Sequence, residues 1–194
     1  MTTLLAQPPA QVRYTPDDIL RLEEEGLYEL VDGRLVEKSM SSLANETAWI
    51  IGGRLFIYLL EKPLGVIFNE QTFKCFPNDA GGIRRPDLAF VSAEKLPRVE
   101  EDGHVTAVPD IAIEVISPND KIDELEEKIE DYFSAGVKIV WAVNPKFRWV
   151  RVHRLDAPLA EFRETDTLTA EPVLPGFAIL VRDMLARPHT TQSV

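Results

Sequence analysis

Two carboxylates lie inside runs of strand-forming apolar residues. Arg85-Pro86-Asp87-Leu88-Ala89-Phe90-Val91 carries Asp87, and Asp110-Ile111-Ala112-Ile113-Glu114-Val115-Ile116 carries Glu114. A carboxylate is costly to bury unless a positive charge meets it. Two that converge across adjacent strands would suit a hard divalent cation such as Mg2+, which takes oxygen ligands and often only one or two protein carboxylates beside water and substrate phosphate. Side chains alternate along the second run, so Asp110, Ala112, Glu114 and Ile116 share one face and Ile111, Ile113 and Val115 the other. Other chemistries find little support. His104, His153 and His189 lack metal-ligand spacing, Gly52-Gly53 and Gly81-Gly82 lack the pattern of a phosphate-cradling loop, and no Ser/His/Asp arrangement is suggested.

The elements that must position these acids can be read from turn and period signals. Thr15-Pro16-Asp17-Asp18 reads as an N-cap, a first-turn proline and a capping-box acid, opening a short helix that stops at Gly26. Tyr28-Glu29-Leu30-Val31, Asp32-Gly33 and Arg34-Leu35-Val36-Glu37 predict a hairpin with a two-residue turn. A longer helix over 43–61 is expected to be the main core helix through Trp49, Ile50, Leu55, Phe56 and Leu59, with Gly52-Gly53 bending it or admitting a close neighbour. Strands follow over 66–76 and 87–91, then a polar loop over 97–109 and the Glu114 strand. Ile122, Leu125, Ile129, Tyr132 and Phe133 fall at helical spacing, and Gly136 ends that helix. Apolar strands over 138–143 and 147–155 come next, so the chain from Asp110 to Val143 reads as a βαβ unit with a parallel strand pair.

Composition bounds the rest. With 194 residues, 45% of them apolar, the chain can bury one good core. We divide it into a flexible lead (1–13), one domain (14–187) and a flexible tail (188–194). Cys75 is the single cysteine, which excludes an internal disulfide and a cysteine-based zinc site and favours a reducing compartment. No signal peptide or membrane span is read, so the expectation is a soluble, cytoplasmic protein. The formal charge of −11 argues against sequence-blind coating of DNA but leaves room for a local basic patch, with Arg84, Arg85, Lys138, Lys146, Arg148, Arg151 and Arg154 as candidates.

Asp87 after Pro86, followed by an acid on a neighbouring strand, resembles the core of the PD-(D/E)xK nuclease superfamily. There, a lysine two residues after the second acid shares its face and helps position or activate water; here that place holds Ile116. The wider succession is more specific. Tyr28-Glu29-Leu30-Val31-Asp32-Gly33-Arg34, Arg85-Pro86-Asp87, Ile113-Glu114-Val115-Ile116-Ser117-Pro118, Ala135-Gly136-Val137 and Trp141-Ala142-Val143-Asn144-Pro145 occur in order. That series is similar to the Uma-type family of restriction endonucleases, over nearly the whole chain. The resemblance implies a restriction-endonuclease-like α/β fold, a mixed central β-sheet flanked by helices, and a homodimer. It also implies a lysine relocated to the following helix, matched by Lys128, and an upstream acid matched by Glu29. Gln71 is a weaker polar candidate.

The expected function is therefore endonucleolytic hydrolysis of phosphodiesters, DNA foremost. Asp87, Glu114 and the carbonyl of Val115 would hold Mg2+ or Mn2+, Glu29 would support them, and Lys128 would position water or stabilise charge. Activity would weaken in acid and fail with chelator. Lys128 stands beside the apolar face of its helix, where its stem can lie on the core and its ammonium reach the sheet edge. Structural alternatives stay open for each residue. Asp87 could bond backbone amides, Glu114 could pair with Lys128 or Arg85, Lys128 could pair with Glu124 on the surface, and Glu29 could be an exposed strand acid. The functional alternative is a catalytically inactive dimeric binding or scaffold module of the same fold.

Overall fold

The computed structural model describes residues 12–23 and 25–186; the expected tail, most of the expected lead and His189 lie outside them. The first helix, α1 (Pro16–Leu22), opens as the sequence implies: Asp18 Oδ2 accepts from both the Thr15 amide and the Thr15 hydroxyl at 2.8 Å. Strands β1 (Tyr28–Val31) and β2 (Arg34–Glu37) form an antiparallel hairpin. Asp32 and Gly33 turn it at φ 50° and 76°, the left-handed pair that a two-residue turn with the correct twist requires.

The central sheet has six strands in the order β3-β4-β5-β6-β7-β8. They are β3 (Gly65–Asn69), β4 (Leu88–Ser92), β5 (Ile111–Val115), β6 (Ile139–Asn144), β7 (Trp149–Arg154) and β8 (Ala157–Arg163). Only β5 and β6 run parallel, because helix α3 (Ile122–Ala135) carries the chain back between them; every other neighbour in the sheet is antiparallel. Gly136, at φ 98°, caps α3 in the left-handed conformation. The sheet is thus mixed and flanked by helices, the α/β class expected.

Helix α2 (Ser42–Glu61) covers one face of the sheet with Ala44, Ala48, Ile51, Leu55 and Leu59, packed on Ile111, Ile113, Val115 and Trp141. A hairpin of β9 (Thr167–Ala170) and β10 (Leu174–Leu180) completes that layer, placing Leu168, Ala170 and Phe177 in the same cluster. Here one expectation is corrected. Trp49 and Phe56 belong to the opposite side of α2 and are 70% and 58% exposed. The helix is apolar nearly all round, so period alone could not choose its buried face. Gly52 serves close packing: a Cβ there would stand 3.2 Å from Leu88 Cδ2.

Ile129 and Tyr132 of α3 cover the other face, against Ala89, Ala112 and Val140. Ile122, read with that apolar face, is 72% exposed in the first turn. The β1–β2 hairpin packs with α1 through Ile19, Leu30 and Ile83 and joins the body by paired bonds between the backbones of Leu30 and Ile83 at 2.8 and 2.9 Å. Among the described residues no helix is long and apolar enough to cross a membrane.

Candidate active site

Antiparallel pairing of Leu88 with Ile113 brings the start of β4 and the end of β5 to the same edge of the sheet. Asp87 and Glu114 therefore meet there, 2% and 5% exposed. The alternation read from sequence holds: Ile111, Ile113 and Val115 face α2, whereas Ala112 faces α3 and Glu114 reaches the α3 side chains of Tyr132 and Lys128. Asp87 Oδ2 accepts the Val115 amide, so the carboxylate of one strand is pinned by the backbone of the next. Val115 itself lines the cleft. Ser117 then turns the chain out: its amide donates to Asp120 Oδ2 at 2.7 Å, and its hydroxyl accepts from the amide of Ser41, the α2 N-cap, at 3.0 Å.

Lys128 points into this site. Its Nζ is 2.9 Å from Glu29 Oε1 and 3.5 Å from Glu114 Oε2. The surface alternative does not form, since Glu124 pairs with Lys121 at 2.6 Å. Glu29 is no exposed strand acid either: it is 1% exposed, with Arg84 Nη1 3.2 Å from Oε2 and the Arg85 amide donating to Oε1 at 3.0 Å. Burial would push the Glu29 carboxyl up, but Lys128, Arg84 and Lys38 bring it down to about 2. At Glu114 burial prevails over the same two lysines and raises the carboxyl above its ordinary value. Tyr132 Oη donates to Glu114 Oε1 at 2.5 Å. Burial works against the Lys128 ammonium, yet Glu114 and Glu29 hold its pKa above the usual lysine value.

The sequence reading did not find two further members of the site, Lys38 and Glu70, and named a third, Arg84, only as a candidate for a basic patch. Lys38, just after β2, places Nζ 2.6 Å from Asp87 Oδ1 and 3.3 Å from Glu70 Oε2, and donates to the Arg85 carbonyl at 2.6 Å. The contact with Asp87 Oδ1 is an ion pair in distance but not an aligned hydrogen bond, for that oxygen is buried and accepts none. Glu70 sits one residue before the candidate Gln71, which faces away and donates to the Gly103 carbonyl at 3.1 Å. Burial lifts the Glu70 carboxyl to about 7 against the pull of Lys38. Arg84 binds Glu29 on one side and Asp131 on the other, at 2.8 Å from Nε and 2.5 Å from Nη2. The available signals were weak: a lysine ending a hairpin strand and an acid at the end of β3.

The cleft lined by Glu29, Lys38, Arg84, Asp87, Glu114 and Lys128 has a volume of about 480 Å³. Its exposed rim is acidic, with Asp32, Glu37, Asp120, Glu124 and Glu127 against Arg34 and Lys121. Of the expected basic patch only Arg84 lines the cleft, and it is buried between Glu29 and Asp131. Arg85 is buried, with Nη2 3.1 Å from Glu23, Lys138 lies 2.8 Å from Asp110, and Arg148 and Arg151 pair with Glu164 and Glu161. His104 bonds Thr72 and the Pro16 carbonyl, away from the site.

The model of the Uma2 family, described as "putative restriction endonuclease", matches residues 16–182. The chain belongs to the Uma2 family. Among solved structures, this Uma2 chain is similar to one described as a "putative nuclease" from Anabaena variabilis ATCC 29413. The two superpose with a TM-score of 0.74 at 20% identity, over 88% of this chain and 96% of that one. At that identity the likeness is one of fold, and it agrees with the restriction-endonuclease-like architecture described above. No curated protein matches the chain.

A hard divalent cation fits the donors present. Asp87 Oδ1 and Glu70 Oε1 are buried carboxylate oxygens that accept no hydrogen bond, and the two carboxylates with the Arg85 carbonyl surround the Lys38 ammonium, a place of oxygen ligands filled by a cation. Among the described residues no three His, Cys, Asp or Glu side chains are arranged to hold a metal by themselves. Two carboxylates and a carbonyl suit Mg2+ or Mn2+, which keep several waters, better than zinc.

Proposed function

We propose that this Uma2 protein is a Mg2+- or Mn2+-dependent endonuclease that hydrolyses phosphodiester bonds of nucleic acid, DNA foremost, and acts as a cytoplasmic homodimer. One observation carries the reading: Asp87 and Glu114 meet at the ends of adjacent strands with Lys128 between Glu114 and Glu29, all opening into one cleft. The descriptions of the family and of the Anabaena structure support the same activity.

Asp87 Oδ1, Glu114 and the Val115 carbonyl would hold the cation, which supplies Lewis acidity that activates water and offsets phosphate charge. The Val115 amide occupies Asp87 Oδ2, so Oδ1, which the Lys38 ammonium faces at 2.6 Å, is the oxygen that would take the cation. Tyr132 takes Glu114 Oε1, which leaves Oε2 on the side of Lys128. Glu29 fixes the Lys128 ammonium, which orients water and stabilises charge gathering on a phosphate oxygen during in-line attack. Ile116 does not obstruct this, since α3 delivers an ammonium to Glu114 from across the cleft.

The dimer rests on α2. Trp49, Gly53, Phe56 and Leu60 recur at helical spacing along its outer side, and the three large residues are 58–70% exposed. A shallow groove of about 260 Å³ lies between that stripe and the edge strand β3. Cytoplasmic work agrees with a lone cysteine, whose thiol burial pushes up to about 12. The acidic rim favours the second reading, an inactive scaffold of the same fold.

Nicking of supercoiled plasmid with Mg2+ and then Mn2+ separates the two. Cleavage by the wild type should disappear with chelator and with Asp87→Ala, and should fall about 100-fold or more with Lys128→Ala. Cleavage that survives Asp87→Ala would remove the site; no cleavage with either cation would favour the scaffold.

A further inference from the structure

The Lys38 ammonium lies in a cage of oxygens that matches a hard-cation site in charge and donor type. Asp87 Oδ1 stands 2.6 Å from it, Glu70 Oε2 3.3 Å and the Arg85 carbonyl 2.6 Å. The match in hydrogen bonding is incomplete, since the ammonium donates to Glu70 Oε2 and the Arg85 carbonyl but not to Asp87 Oδ1. Asp87 is 2% exposed, yet its Oδ1 accepts no aligned bond, and neither does the buried Glu70 Oε1. An ammonium offers three tetrahedral donors, whereas a divalent cation binds lone pairs from any direction that its shell allows.

The cage is built by the surroundings. Glu70 is held at φ 50°, a conformation that non-glycine residues seldom adopt. Its amide donates to the Asp87 carbonyl at 3.2 Å, and its own carbonyl accepts from Arg85 Nη1 at 2.7 Å. Lys38, by contrast, enters from the end of the β1–β2 hairpin on a flexible four-carbon stem, with Ser39 exposed beside it.

We propose that Lys38 is a tethered cation that holds shut a divalent-metal position formed by Asp87 Oδ1, Glu70 and the Arg85 carbonyl, and that metal loading displaces its ammonium into the cleft. The proposal rests on the metal-dependent reading above and adds Glu70 and Arg85 to the ligands. Metal and lysine compete for one place, so the ammonium keeps the buried carboxylates neutralised while the metal is away. Removing it should leave those carboxylates to the metal alone. Apparent metal affinity is lowered wherever a competing group fills the competent state, and it recovers when that group is removed.

The test is calorimetric titration of Mn2+ into wild type, Lys38→Met, Asp87→Asn, and Lys38→Met combined with Glu70→Gln. Lys38→Met keeps the stem and should bind Mn2+ about tenfold tighter or better, the scale of one lost competing ion pair. Adding Glu70→Gln should remove that gain, and Asp87→Asn should abolish binding. Equal or weaker binding by Lys38→Met, with Asp87→Asn still inactive in binding, overturns the tethered cation and leaves the metal site standing. No binding by wild type or Lys38→Met overturns both readings. Wild-type protein gives a second readout, independent of whether the variant folds. Acylation of Lys38, followed by peptide mass spectrometry, should be slow without metal and rise several-fold, on the order of fivefold, at saturating Mn2+ as the amine leaves its cage. Unchanged labelling of Lys38 with bound metal overturns the displacement.

Discussion

Lys128 Nζ lies 2.9 Å from Glu29 Oε1, so a helix that follows the fifth strand and a hairpin near the start of the chain close together over the end of the sheet. The same ammonium reaches Glu114 at 3.5 Å, which makes it the shared counter-charge of two buried acids. Buried carboxylates that lose their cation are strongly destabilising, whereas the intact pair contributes little net stability. The cluster therefore couples stability to the residues proposed for chemistry.

Replacing Lys128 with Met should lower unfolding free energy by roughly 3 kcal/mol, read as a shift of the urea midpoint at unchanged slope. Adding Glu29→Gln should restore part of the loss, because one uncompensated charge goes with the other. If Lys128→Met alone changed stability by less than about 0.5 kcal/mol, the shared-cation account would be wrong.

The hydroxyl of Tyr132 has one role here, donation to Glu114 Oε1 in a fully buried setting. Tyr132→Phe keeps the ring in the core and should cost about 1–2 kcal/mol, typical of a buried acceptor left with one partner fewer. A neutral effect in thermal or urea unfolding would mean that Glu114 finds another donor.

Asp110 gives the fold a pH dependence away from the cleft. Burial would raise its carboxyl, but bonds from Lys138, Lys95 and Ser92 pull it from 3.8 down to about 2. A folded-state value below the unfolded one stabilises fully above the unfolded value and is lost as pH falls through the folded one. Wild type should exceed Asp110→Asn by roughly 2 kcal/mol at neutral pH, and the gap should close between about pH 4 and pH 2. Urea unfolding at stepped pH reads this directly; a gap that stays constant through that window would place the stabilisation elsewhere.

Trp49→Glu with Phe56→Glu puts two charges on the outer stripe of α2 without touching its buried face. Light scattering should give a dimer for wild type and half that mass for the variant, with unchanged circular dichroism. A monomeric wild type would end the dimer proposal.

The acidic rim implies an unusual salt response. Proteins that neutralise phosphates lose affinity steeply as salt rises. Here added salt screens Asp32, Glu37, Asp120, Glu124 and Glu127 from the substrate. Plasmid binding in Ca2+ should therefore change by less than about tenfold between low and physiological salt. A steep fall would show that basic contacts outside the cleft dominate.

Local chemistry in the chain determined the Asp32-Gly33 turn, the Thr15–Asp18 cap, the Gly136 stop and the parity of the Glu114 strand. Each follows from a backbone preference or a period of a few residues. The convergence of Asp87 and Glu114 and the inward turn of Lys128 were also anticipated, through motif order and the position of Lys128 beside the apolar stripe of α3. Only the tertiary structure decided which side of α2 is buried, because Trp49 and Phe56 are as apolar as Ile51 and Leu55 and only contact with the sheet distinguishes them. It alone brought Lys38 and Glu70 to Asp87 and Arg84 to Glu29. Lys38 meets the Arg85 carbonyl across 47 residues of sequence, and Arg84 meets Glu29 across 55. No short-range periodicity spans such separations; the packing of the hairpin against the sheet edge does.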